Sequence, residues 1–332
     1  MKVSTRGDYA ARALLSLALH GSEQPTSVKE IAERTTLPQP YLEQILLAVK
    51  GAGLVRSKRG VGGGYVLARP AEEITLAVET DRSPIELPAA KFGPLEQQIA
   101  RHVAALIPDR ATLQMGIGAV PEAIVAMLGD RRDLGVHSGM VGDSVVDLME
   151  RGAVTNAHKG IDPGVTVTGV LFGTQRLYRF AHENPQLRLC HTRYTHAAGT
   201  LAKVRGLVSI NSALEVDLTG QVNAEQTGSE YLGGTGGQVD FVRAGMRSPG
   251  GHAIIALPAT ARGGTVSRIT ARLTGPVTTA RSEVDVIVTE FGAAELKGQS
   301  LAERARRLAA IAHPGFRESL EHEARAIAQR GF

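Results

Sequence analysis

The sequence predicts an open α/β domain preceded by a small winged helix-turn-helix domain. Three observations point there. From residue 94 onward, helix-spaced runs alternate with apolar strand-like runs, the pattern of a mostly parallel sheet with crossover helices. The first 75 residues instead hold short helices, a proline-broken turn and a glycine-rich basic hairpin. The charge is also uneven. Residues 1–70 carry ten Lys/Arg and five Asp/Glu, whereas residues 71–332 carry 27 and 28 of the chain's 37 and 33. A basic surplus confined to one end suggests a module that meets a polyanion, with a neutral remainder doing something else; a solvated basic surface is the alternative.

A chain of 332 residues exceeds the usual single core, so two or more domains are expected. Apolar content of 43% and charged content of 21% are ordinary for a globular protein. No apolar run approaches the roughly 20 residues that span a bilayer, so no membrane partner is expected. The opening MKVSTRGDYAARALLSLALHG reads as an amphipathic helix, because Arg12 interrupts it and no small-residue cleavage site follows. The single cysteine, Cys190, excludes an internal disulfide and an all-cysteine cluster held by one chain. The cytoplasm is the expected compartment.

In the first part, Leu14, Leu15, Leu17, Ala18 and Leu19 give one helix an apolar face. SVKEIAERT follows, with Thr26 or Ser27 as cap and Glu30 completing a capping box with Ser27. LPQP breaks the chain, YLEQILLAVKGAGL resumes helical spacing, and VRSKRGVGGGYVLARP makes two short strands around a basic turn. Arg56, Lys58 and Arg59 on that wing are placed near phosphates.

In the second part, residues 77–91 read as a linker and PLEQQIARHVAALI as a helix. ATLQMGIG is a strand entering a glycine turn, and VPEAIVAML the helix after it. LGVHS, VTVTGVLFG, LRLCHT, LVSINSA, HAIIALPA and VDVIVTEFG are further strands, with helices at Val145–Arg151 and Leu301–Ile311. Gly116 and Gly118 form a turn too short for a dinucleotide fingerprint. Gly233, Gly234, Gly236 and Gly237, followed by Gln238, give a bare backbone that a ligand can approach and whose amides suit an anion. GxxxxGK[ST], GxSxG, HExxH and paired CxxC are all missing, which argues against a triphosphatase, a hydrolase triad and a zinc site; no metal is expected. His137 reads as a packed, hydrogen-bonded residue. Cys190 and His191 fall on opposite faces of a strand, so Cys190 reads as a buried, inert thiol.

The blocks MKVSTRGDYAARALLSLALH, SVKEIAERTTLPQPYLEQILLAVKGAGLVRS and RGVGGGYVLARPAEEITL resemble the Rrf2 family of winged-helix bacterial regulators over residues 1–76. The resemblance implies that Gln39–Lys50 is the recognition helix, with Tyr41, Glu43 and Gln44 facing the major groove and Tyr9 and Arg59 touching DNA beside it. Glu can accept from a cytosine amino group and Gln can pair with adenine, whereas Leu42 is assigned to the helix core. After ITLA the family continues into a dimerising helix, and many members hold an iron–sulfur cluster on three cysteines. This sequence has VETDRSPIELPAAKF and one distant cysteine, so no iron–sulfur cluster is expected. Double-stranded DNA is then a partner that requires another route to a homodimer.

From residue 92 the chain resembles the C-terminal part of the acetyl-CoA hydrolase/transferase family, which contains acetate, butyrate and 4-hydroxybutyrate CoA-transferases. The carrying blocks include LQMGIGAVPEAI, LGVHSGMVGDSVVDLMERGAVTN, INSALEVDLTGQVNAE, GGTGGQVDFVRAG, SPGGHAIIALPATA and IAHPGFRESL, in order over residues 92–325. The resemblance implies a CoA-transferase-like open α/β domain over 92–332. It also implies coenzyme A or acyl-CoA as substrate or ligand, a short-chain carboxylate as partner, and a role in acetate or short-chain acid metabolism. Gly233–Asp240 would lie along the CoA cleft. In the implied mechanism a glutamate after the HS motif attacks the acyl-CoA and passes through a glutamyl–CoA thioester. That position here is Gly139, which has no nucleophile, so transferase activity fails to carry over at its central residue.

Three readings stay open. Another carboxylate acts, Asp143 and Glu225 being the candidates ahead of Glu215 and Asp217, with water attacking the thioester. Alternatively, the site binds acyl-CoA without turnover, which would make the chain a transcriptional regulator whose C-terminal domain senses acyl-CoA. Or the chain is catalytically dead. Asp143 has a competing structural role as the N-cap of the helix it precedes. The winged helix replaces most of the family's preceding α/β half, so a cleft with one wall missing is expected to bind CoA more weakly and admit water unless a partner chain supplies that wall. A domain fusion and a shifted reading frame both fit.

Overall fold

The computed structural model describes residues 5–20, 25–51, 54–58, 63–67, 83–87, 90–116 and 118–330, which divide into two compact units, Met1–Ser83 and Pro84–Phe332.

The first unit is a three-helix cluster with a wing. Its helices are Thr5–His20, Val28–Thr35 and Gln39–Gly51. Ser27 starts the second helix with a capping box: its Oγ accepts from Glu30 N at 3.2 Å, and the Glu30 carboxylate accepts from Ser27 N at 2.8 Å. Ala13, Leu17, Ile31, Leu42, Leu46, Val49 and Val55 form the core, so Leu42 is a packing residue as expected. Strands Val55–Lys58 and Gly64–Leu67 pair antiparallel. Thr26 extends that ladder: its N–H donates to Tyr65 O at 2.9 Å and its carbonyl accepts from Tyr65 N at 2.8 Å. The approach is so close that a Cβ on Gly64 would lie 2.2 Å from Thr26 O.

The second unit is built on a six-stranded sheet. Its order is Gly292–Glu295, Val286–Thr289, His252–Ala256, Leu207–Asn211, Thr112–Met115, Gly135–Val136. Neighbours run parallel except at the Gly292–Glu295 edge. Numbered along the chain, the parallel strands lie in the order 2-1-3-4-5, a doubly wound sheet with its switch point between Thr112–Met115 and Leu207–Asn211. Alternate residues serve opposite cores, as a strand covered on both faces requires. Ile254, Ala256, Val286 and Val288 join the helices Pro94–Ala104, Ala119–Ala126 and Asp143–Glu150. Ala253, Ile255 and Ile287 join Gln238–Arg247, Leu301–Ala310 and Pro314–Arg330.

The seven strand-like runs read from the sequence all contain strands, but two leave the main sheet. Thr166–Thr168 pairs with Leu187–Leu189 in a separate parallel ladder, joined to the sheet by the single bridge His137–Val167. Val170–Leu171 pairs with Met140–Val141. Cys190, just past that outer ladder, is half-buried rather than buried; among the described residues no further strand pairs with Leu187–Leu189. The described residues 84–87, within the expected linker, are tied into this unit. Leu87 N donates to Gly173 O at 2.9 Å, Gln175 N to the Glu86 carboxylate at 3.0 Å and the Tyr178 hydroxyl to Ile85 O at 2.8 Å. Among the described residues no helix is long and apolar enough to cross a membrane.

The Gly64 contact is testable. Gly64→Ala must separate the wing from Thr26 and is expected to lower stability by about 1–3 kcal/mol, read by chemical denaturation. Gly51→Ala, where a Cβ meets nothing within 4 Å, serves as the neutral control. Equal stability of the two variants would refute the close approach.

Candidate functional site

In a doubly wound sheet, ligands bind outside the carboxyl ends of the strands at the switch point, because successive crossovers leave in opposite directions there and nothing covers the gap. The glycines predicted from the sequence lie around that gap, whereas not all of the predicted carboxylates do. Strand Thr112–Met115 runs into Gly116 and Gly118. Gly118, at φ +120°, is a backbone conformation that only glycine adopts without strain, and it starts the helix Ala119–Ala126 with no side-chain cap. Across the switch point Gln114 and Asn211 exchange hydrogen bonds at 3.3 and 3.0 Å.

Strand Gly135–Val136 ends in His137, Ser138 and Gly139. Ser138 Oγ donates to Met115 O at 3.1 Å and accepts from Met115 N at 3.3 Å, tying this strand end to the switch point. The Gly139 carbonyl accepts from Gly169 N and Val170 N, both at 3.1 Å. Against the bare α-carbon of Gly139 sits the ring of His196. A Cβ at 139 would lie 3.0 Å from His196 Cε1 and Nε2, and a Cβ at 237 would lie 2.2 Å from Nε2. The imidazole therefore fills space that two glycines leave between them. Phe241 meets it edge-on at 4.8 Å. His137 supports the arrangement from below. It is fully buried, and its Nε2 donates to the Thr195 carbonyl at 3.1 Å. Thr195 Oγ1 in turn bonds His196 Nδ1 at 2.8 Å.

Gly237 caps the helix Gln238–Arg247 with backbone alone. Gly233, Gly234 and Gly236 precede it with no atom within 4 Å of an added Cβ. Gln238 Nε2 donates to Thr279 Oγ1 at 3.0 Å, and the neighbouring Thr278 hydroxyl donates to Glu225 at 2.8 Å. Gly139, His196, Gly237, Gln238 and Glu225 thus form one connected neighbourhood. Asp143 faces elsewhere. Gly142, not Asp143, is the N-cap, and the Asp143 carboxylate accepts from Thr174 N at 2.8 Å and Thr174 Oγ1 at 2.7 Å. Glu215 and Asp217 are bound into turns: Glu215 accepts from Thr274 and Gly275, and Asp217 from Thr219 and Gln221. Among the described residues no group of His, Cys, Asp and Glu is arranged to hold a metal.

Burial sets the proton affinities. His137 is pushed down to about 4, first by desolvation and then by the Lys159 ammonium. Lys159 is itself pushed down to about 8 by burial. His196 is also lowered, by desolvation, against the Asp240 carboxylate, which raises it. His196 was missed in the sequence because TRYTH carries no periodicity or motif; its role appears only when Gly139 and Gly237 close around it.

In the first unit, helix Gln39–Gly51 presents Tyr41, Glu43 and Gln44 to solvent, while Leu42, Ile45 and Leu46 are buried. Tyr9 meets Tyr41 edge-on at 5.6 Å. Lys58 is exposed on the wing; Arg59 lies outside the described residues.

Residues 3–81 match the Rrf2 family, described as iron-dependent transcriptional regulators, and residues 173–324 match the acetyl-CoA hydrolase/transferase C-terminal domain. The chain therefore carries one domain of each family. The 4-hydroxybutyrate coenzyme A transferase of Clostridium kluyveri is 47% identical over 253 residues, 76% of this chain and 59% of that protein. The protein rrf2 of Nitratidesulfovibrio vulgaris is 43% identical over 91 residues, 26% of this chain and 61% of that protein. RipA from Yersinia pestis superposes with a TM-score of 0.72 at 40% identity, covering 80% of this chain and 58% of that one. The chain thus spans about three fifths of each of these relatives.

The low proton affinity of His137 predicts a pH signature. Its folded value, about 4, lies below the ordinary 6.5, so the unfolded chain takes up the proton first. The stability contribution is complete above pH 6.5 and is lost as pH falls through the folded value, by about 3 kcal/mol. Denaturation of wild type and His137→Gln between pH 8 and 4 should converge as pH falls. Parallel curves would mean that His137 holds its proton equally well folded and unfolded, and would refute the shift.

Proposed function

We propose that the second unit binds an acyl-CoA across the switch point, with the thioester at Gly139 and His196 and the phosphates near the Gly233–Gly237 loop and Gln238. The first unit binds double-stranded DNA as part of a homodimer. The reading rests on one observation: the glycines expected along a CoA cleft and the strand-end position expected to hold the nucleophile meet in one place, at the carboxyl edge of the sheet. Gly118 starts its helix at the same edge with no side-chain cap, whereas the Gly116 amide is taken by Ile210 O at 3.3 Å. Because residue 139 is glycine, the covalent glutamyl route is closed there. Glu225, half-buried and one step from Gln238 through the threonine pair, is the carboxylate placed to contact a bound acid; Asp143 serves the loop at Thr174. CoA transfer between a thioester and a short-chain acid is therefore not the expected reaction.

A second reading is favoured by the basic charge of the first unit and the exposed polar face of helix Gln39–Gly51: binding of acyl-CoA adjusts DNA binding, making the chain a cytoplasmic, acyl-CoA-responsive regulator.

Calorimetry with coenzyme A and acetyl-CoA should show saturable heat and thermal stabilisation, and labelled acetate should not exchange into acetyl-CoA. Absence of heat would remove the binding reading, and exchange would show another nucleophile. Duplex DNA should be bound with affinity that falls steeply with salt, and Lys58→Ala should lower the log–log slope by about 1.

A further inference from the structure

We propose that His196 is the catalytic base at the bare strand tip, and that the site hydrolyses the acyl-CoA it binds. The inference rests on acyl-CoA binding as proposed above and names the reaction and the residue that runs it.

Three observations carry it. First, the His196 ring borders the space that a side chain at 139 would enter, with Nε2 and Cε1 each 3.0 Å from the position of that Cβ. The chemistry lost from the strand tip is replaced in space by an imidazole reaching in from another segment. Second, that imidazole is held. Gly139 and Gly237 flank it, Phe241 packs on it, and Thr195 fixes its far nitrogen. Thr195 Oγ1 lies 3.4 Å from His191 O and 2.8 Å from His196 Nδ1; in the proposed site its proton is assigned to His191 O, with Nδ1–H of His196 donating to the hydroxyl. That assignment leaves the lone pair on Nε2, the nitrogen at the tip. Third, the Thr195 carbonyl is itself held by buried His137, so the supporting hydrogen bonds run back to the sheet. Asp240, at the start of the helix beside Gly237, and His137 are the titratable neighbours of the ring.

The step balances without a co-reactant beyond water. The water oxygen bonds to the thioester carbonyl carbon while its proton passes to Nε2. The tetrahedral intermediate then collapses with cleavage of the C–S bond. The coenzyme A thiolate leaves and takes the proton from the imidazolium, giving free thiol and carboxylic acid. Position 139 needs no side chain in this scheme.

The test uses the full-length protein with acetyl-CoA. Thiol release is followed by a colorimetric thiol reagent and binding by calorimetry, for wild type, His196→Gln and His196→Ala. Gln nearly preserves the ring's volume but cannot take the proton; Ala removes both. The expected result is a roughly 100-fold or greater fall in kcat for both variants, with Kd for coenzyme A within about twofold of wild type. The wild-type rate should rise with pH to a plateau, with its inflection below the ordinary histidine value. Two results would overturn the proposal while leaving acyl-CoA binding intact: heat on binding but thiol release no faster than in buffer, or losses under about tenfold in both variants. No binding heat for the wild type would overturn the binding reading itself, and this one with it.

Discussion

The strand Thr112–Met115 is the constraint on which the rest of the second unit depends. It is paired on both sides, with Gly135–Val136 and with Leu207–Asn211, and all four of its residues are buried. Parallel pairing on both edges forces the chain to leave this strand one way and to return on its other side much later. The gap at its carboxyl end follows from connectivity, whatever residues line it. The buried polar pair Gln114–Asn211 marks where the two directions part. Removing either partner would leave the other's amide without its hydrogen bond, at a place where Gln114 is buried.

A second set of buried polar contacts turns that gap into a defined site. His137, Thr195 and Ser138 are all fully buried and hydrogen-bonded, and each bond fixes a segment that would otherwise be a loop. Ser138 joins two strand ends; His137 pins the short helix Thr192–Thr195, which delivers His196. Neutral His137 suits this place, since a charge there would face the Lys159 ammonium in a region of low polarity. Its bond to the Thr195 carbonyl, which can only accept, fixes the Nε2–H tautomer and with it the geometry of the tip.

Much of this was legible in the sequence, and the parts that were not share a cause. Ser27 and Glu30 announce a helix start three residues apart, and the wing follows from its glycines; both signals are local. The strands Leu207–Asn211, His252–Ala256 and Val286–Thr289 are continuous apolar runs because both of their faces are covered. VTVTGVLFG looks equally strand-like, yet its two halves pair outside the main sheet, because pairing is decided by the chain's path and not by the run itself. Asp143 follows a turn that reads as a cap, but its carboxylate bonds Thr174, thirty-one residues on. His196 is the same case at greater consequence. Its significance lies in two distant glycines, and no spacing within one segment encodes that.

The two units are equipped to meet phosphate by different physics. The first carries the chain's basic surplus on side chains, Lys58 among them on the exposed wing strand. Attraction of that kind releases counterions and weakens steeply as salt rises. The second has no surplus of cations; on the proposed function it relies on backbone. Its glycine loop leaves the main chain uncovered, and the helices at Ala119 and Gln238 begin with N–H groups that no side chain caps. Both helices point those ends toward the carboxyl edge of the sheet, one because it follows strand Thr112–Met115 and the other because it precedes the parallel strand His252–Ala256. Dipoles fixed in the fold act at contact distance, where a Debye length of roughly 8 Å screens little. On the proposed function, a solution ionic enough to detach the first unit from DNA would therefore leave nucleotide binding by the second largely in place, so the two proposed activities would be separable in one protein by salt alone.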